Sequence, residues 1–212
     1  MSDELELTVL TTEHYTLQTA RQACLQDMQG RATLFLYSVS AVLVALGFMA
    51  SASGSRQQFI VLSVTLLSAL WVLGILTFLR VGQLAVEDTI IAFGISRIRH
   101  RYLELQPTLE GTFVRAIHDD LTGLQEEMGA SRAWWQSLMP VTTVVSFVDS
   151  VVGGADLSVI LSASLHVSLM IAVVAGVLGG VLNMIVLTLV SRSLWAGLER
   201  YPAKFPSSSK AS

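Results

Sequence analysis

Cysteine is nearly absent from this chain: Cys24 is the single one in 212 residues. That excludes an internal disulfide and any thiolate metal cluster. Histidine is scarce too, with four residues, and His14, His100, His118 and His166 fall on different segments. Charged residues make up only 14% of the chain and the net charge is −3. No global basic character therefore points to nucleic acid as a partner. The first thirty residues are polar and acidic, unlike a cleavable signal peptide, so the first apolar run is expected to serve as an uncleaved anchor.

Apolar residues are what the chain has in quantity, at 52% hydrophobic with a mean hydropathy of +0.62. Both values lie above those of a soluble globular domain. The length predicts one compact unit, too short for a membrane domain plus a separate enzyme domain. The central feature is FIVLSVTLLSALWVLGILTFLRV, residues 59–81, which carries no charge before Arg80. As a helix it would be roughly 34 Å long, against a hydrocarbon core of roughly 30 Å. The polar continuation through Glu104 has no proline and keeps a helical apolar stripe, so one helix can run on into water.

Ahead of it, residues 1–12 read as a mobile acidic terminus. Residues 13–30 read as an amphipathic helix with Thr12 as N-cap and Leu17, Ala20, Cys24 and Met28 on one face. Residues 32–50 carry no charge and form the first predicted span. The polar loop 51–58 then makes spans 32–50 and 59–81 a tight hairpin. Pro107 ends the long second helix, and Thr108 is the expected cap of another over 109–128, closed by Gly129. With 13–30, these water-facing helices predict a small three-helix bundle.

The third predicted span is 134–152, followed by a turn at 153–156. Residues 157–189 are too long for a simple crossing and must tilt, protrude or break, so 165–189 is taken as the fourth span and 157–164 as an extension. Charge distribution supports four crossings: every lysine and arginine except Arg56 then shares one side. The expected architecture is an all-α membrane protein with four transmembrane helices and a small cytoplasmic helical bundle. Its segments are 1–31 (amphipathic helix), 32–81 (first hairpin), 82–133 (cytoplasmic helical hairpin), 134–192 (second hairpin) and 193–212 (tail). Both termini are expected in the cytoplasm of a cell whose inner, or plasma, membrane holds the protein. Trp134, Trp135 and Trp195 are expected at the inner interface, and Trp71 in mid-span between helices.

No catalytic constellation emerges. His118-Asp119-Asp120 has the look of a phosphohydrolase dipeptide, but the further ligands such sites need are missing, and a solvated helix face is the expectation. No metal and no cofactor is expected. Three features remain. Ala172-x3-Gly176-x3-Gly180 presents small residues for close helix approach, within one subunit or between subunits. Thr142, Thr143, Asp149, His166 and Asn183 are polar residues in the last two spans, with Asn183 the deepest candidate for a pore lining or an interhelical hydrogen bond. Arg97, Arg99, His100 and Arg101 form a cluster suited to anionic headgroups, a phosphorylated ligand, or neighbouring acids such as Glu126 and Glu127.

The segments RATLFLYSVSAVLVALGF, LGILTFLRVGQLAVED and ISRIRHRYLEL-x-P resemble a group of bacterial hypothetical membrane proteins. A polar N-terminal helix followed by a tight two-span hairpin, over about residues 13–105, is also similar in arrangement to the SLATT modules of bacterial conflict systems. That resemblance implies a pore-forming membrane effector. The expectation is thus a non-enzymatic homo-oligomer with a channel on its symmetry axis. The alternative is a scaffold or regulatory subunit that docks a soluble cytoplasmic protein. Expected partners are the lipid bilayer, further copies of the chain, and a soluble protein or an anionic ligand.

Overall fold

The computed structural model describes residues 3–52, 55–115, 117–127, 140–164 and 167–207. The architecture is all-α, with five helices among the described residues: α1 (Asp3–Ser51), α2 (Arg56–Leu105), α3 (Leu121–Glu127), α4 (Val141–Ser164) and α5 (Leu169–Ala196). Short 3-10 turns follow α2 at Pro107–Leu109 and α5 at Gly197–Arg200. Four of the helices, all but α3, are long and apolar enough to cross a membrane.

The N-terminal half of α1 departs from the expected mobile terminus and separate capped helix. It is helical from Asp3, and Thr12 lies inside it, its hydroxyl donating to the Thr8 carbonyl at 2.9 Å. Within this stretch Glu6 accepts from Arg101 Nε at 2.7 Å. The helix also passes Gly30 unbroken into the apolar run. α2 is the single long helix that its pattern predicts.

After Pro107, only Leu121–Glu127 of the helix expected over 109–128 is helical among the described residues. Gly111 takes a φ of +82°, a conformation that stops a right-handed helix and suits glycine. The chain stays irregular until Asp120, whose carboxylate accepts from the Gly123 N–H at 2.7 Å and caps α3.

The third and fourth helices are also shifted. α4 starts after Pro140 and runs through the expected turn at 153–156, and the chain breaks before Ser168. Ser168 caps α5, its hydroxyl accepting from the Ile171 N–H at 3.5 Å. The glycines at 153 and 154 are contact points for other helices rather than turn formers. The helix described over predicted span 134–152 is Val141–Ser164, and that over 165–189 is Leu169–Ala196, with 134–139 and 165–166 outside the described residues. Residues Gly129, Trp134 and Trp135 lie outside the described residues, as does His166.

Two compact units result. The apolar unit is Met28–Gly82 with Leu138–Leu194. Its core joins Phe35, Leu67, Leu70, Phe78, Val145 and Leu187. The polar unit gathers the described residues of Met1–Asp27, Gln83–Ser137 and Trp195–Ser212. There Phe93 packs with Ala92, Leu124 and Leu198, and Arg21 pairs with Asp88 at 3.0 Å.

Candidate functional site

Within the apolar unit, α4 carries two different faces. Ser150, Gly154 and Ser158 recur every four residues and meet the small residues of α5. A methyl group added at Gly154 would lie 2.6 Å from the Gly176 carbonyl oxygen. One added at Gly180 would lie 2.7 Å from the Ser150 carbonyl oxygen. Ala172 is fully buried. The Ala172, Gly176 and Gly180 stripe is therefore an interface inside the chain, where two backbones touch.

The second face of α4 is formed by Val145, Asp149, Val152 and Asp156, all buried. Positions seven apart lie on one side of a helix, so Asp149 and Asp156 share this face about two turns from each other. Asp149 Oδ2 accepts from Asn183 Nδ2 at 3.0 Å, and the same amide donates to Ser150 Oγ at 3.2 Å. Asp149 Oδ1 has no hydrogen-bond partner among the described residues, and it lies against Gly74 of α2, in the space a side chain there would occupy. A glycine is required at this contact, because any Cβ would displace the carboxylate.

Asp156 repeats the arrangement. Its Oδ2 accepts from Ser68 Oγ at 2.6 Å, while its Oδ1 has no partner among the described residues. Between the two acids, the Trp71 indole packs on Gly153, where an added methyl would lie 2.7 Å from it. A cavity of about 210 Å³ opens beside Trp71, Asp156 and Asn183.

The expected site residues separate accordingly. Asn183 joins the buried acid Asp149. Thr142 and Thr143 lie in the first turn of α4, where the Thr143 carbonyl accepts from Ser146 Oγ at 2.9 Å. Asp156, Ser68 and Gly74 are additions that the sequence reading missed. The seven-residue spacing of Asp149 and Asp156 was their one visible signal.

The arginine cluster, in the polar unit, is largely engaged within the chain. Arg97 Nε donates to Asp119 Oδ2 at 2.6 Å, and its Nη2 to the Pro202 carbonyl at 2.8 Å. Arg101 bridges Glu6 and Glu104, at 2.7 Å and 2.8 Å. Arg99 is buried, and His100 stacks on Phe205 with ring centroids 3.8 Å apart. Glu126 and Glu127 end α3, and their side chains lie outside the described residues.

His118-Asp119-Asp120 is a loop clasp, not a solvated helix face. Besides Arg97, Asp119 accepts from the backbone N–H groups of Lys204 at 2.8 Å and Phe205 at 2.6 Å. Asp120 accepts from the N–H and the hydroxyl of Ser207 at 3.0 and 2.7 Å. Burial pushes both carboxyls up, but the donors outweigh it: Lys204, Arg97 and Phe205 at Asp119, and Ser207 and Gly123 at Asp120. Both pKa values fall below the ordinary carboxylate value of 3.8. This loop holds the segment Lys204–Ser207; among the described residues no group of three metal-ligating side chains forms.

The chain matches no family model, curated protein or solved structure.

Proposed function

We propose that this chain is a multi-span membrane protein that moves a cation across the bilayer, with Asp149 as its charge-selective point. One observation carries the reading: among the described residues, a fully buried carboxylate inside a candidate span has a hydrogen-bond donor on only one of its oxygens. An ionisable group at membrane depth is costly and is kept where an ion or proton uses it. The cation pathway follows the acidic face of α4, from Asp156 and Ser68 to Asp149 and Asn183.

Homo-oligomerisation belongs to the proposal, but the pathway we favour lies inside each chain. A pore on the symmetry axis lined by α5 would need a polar face turned outward. The outward residues of α5, among them Leu169, Val173, Val177, Leu182 and Ile185, are apolar and exposed. The resemblance to pore-forming modules supports transport as a class and supplies no residue-level role.

The test is ion flux into proteoliposomes containing wild type or Asp149→Asn. Wild type is expected to pass a cation, and the variant to lose at least tenfold of that flux. A wild type that passes no ion, or a variant as active as wild type, overturns the reading.

A second reading rests on the polar unit. Val114 is 99% exposed, and Leu109 and Leu121 are exposed on the same connection. Apolar side chains presented this way favour a docking scaffold. A soluble protein copurifying at one per chain, with no ion flux, would support it.

A further inference from the structure

We infer that the cavity walled by Trp71, Asp156 and Asn183 is a binding site for a small lipophilic cation of the alkylammonium class. The inference deepens the cation pathway above by naming a substrate class, and it rests on that reading for its physiological role.

Asp156 is 5% exposed, its Oδ2 is held by Ser68, and its Oδ1 is unpartnered among the described residues. The residue lines a cavity of about 210 Å³. A carboxyl group so enclosed favours a positive charge brought into the space beside it.

The walls then select the kind of cation. Leu157, Ile160, Gly153 and Gly179 supply apolar surface, and the Asn183 amide is the other polar lining group. A hydrated divalent ion would need several oxygen ligands at close range. One carboxylate and one amide do not provide them. An ammonium carrying short alkyl groups needs no such shell, since its charge is spread over an apolar exterior. Trp71 adds the aromatic surface that attracts such cations most strongly.

Gly153 has a role in this arrangement. With no side chain, it lets the indole lie against the α4 backbone, 2.7 Å from where a methyl would be. Trp71 is also 36% exposed, so one side of the cavity wall faces the surroundings of the unit. A lipophilic cation partitioned into the bilayer can enter from there.

The experiment is equilibrium binding of radiolabelled tetraethylammonium to the full chain in detergent. Wild type is expected to bind one cation per chain, saturably. Asp156→Asn should weaken binding at least tenfold, Trp71→Leu about tenfold, and Trp71→Phe less than Trp71→Leu. Should Asp156→Asn fail to fold, the order wild type, Trp71→Phe, Trp71→Leu decides. No saturable binding to wild type, or wild-type binding in folded Asp156→Asn and Trp71→Leu, overturns the inference. Absent binding with cation flux intact overturns this site and leaves the pathway standing. Binding intact with no ion flux from wild type supports the site and overturns the pathway.

Discussion

Asp119 in the polar unit and Asp149 in the apolar unit are both fully buried carboxylates, and their surroundings differ in one respect. Asp119 accepts from a guanidinium and two backbone amides, so each of its oxygens has a donor. Asp149 accepts from one side-chain amide and keeps one oxygen without a partner among the described residues. Charge-assisted hydrogen bonds that fully satisfy a carboxylate make it a fastener. A carboxylate left half satisfied contributes little to stability and can destabilise, because its desolvation is not offset. The first setting holds a chain segment; the second is the kind kept for an ion.

The largest effect should come from the backbone crossing that frames the acidic face. Gly154→Leu or Gly176→Leu would drive a side chain into the opposite backbone and cost at least about 3 kcal/mol. Thermal unfolding in detergent, or loss of the folded peak on size exclusion, measures it. Gly30→Ala is the control: nothing lies within 4 Å of a methyl added there. That helical replacement should leave stability unchanged or raise it by up to about 1 kcal/mol.

Asp119→Ala should come next. It strips three donors of their acceptor and is expected to cost about 2 kcal/mol. Amide hydrogen exchange should rise at Lys204 and Phe205, while cation flux stays at the wild-type level. Loss of flux with the clasp still closed would erase the contrast between the two acids.

Acid sharpens the same contrast. Asp119 and Asp120 have depressed pKa values in the folded chain. Their contribution is therefore fully present above the ordinary carboxylate value of 3.8 and is lost as pH falls through the lower, folded values. Protection at Lys204 and Phe205, taken relative to the intrinsic exchange rate at each pH, should hold from pH 7 down to about 4 and be lost only below that. The smallest effect belongs to Arg101→Gln. Its partners Glu6 and Glu104 are solvent-accessible and the bridge is screened, so no resolvable change in unfolding is expected.

Much of the fold was legible because it follows from apolar run length. Four long helices, the hairpin over 32–81 and the unbroken α2 all answer to that signal. The later boundaries were hidden, because Gly153 and Gly154 read as a turn in isolation. Only the opposing Trp71 and Gly176 reveal them as contact points. The predicted helix at 109–128 forms only from Leu121 for a similar reason: Asp119 and Asp120 are committed to backbone amides some 85 residues away, a pairing no local pattern displays. Asn183 could be picked out because an amide in an apolar run is conspicuous. Asp156 was passed over once residues 153–156 were taken for a loop.

The most direct test of the central claim is the unfolding free energy of Asp149→Asn relative to wild type, in the same detergent. The variant keeps the size of the side chain and removes its charge. If the carboxylate is retained for an ion rather than for the fold, the variant should be as stable as wild type or more so. A loss of more than about 1 kcal/mol would contradict the account and make Asp149 a fastener like Asp119.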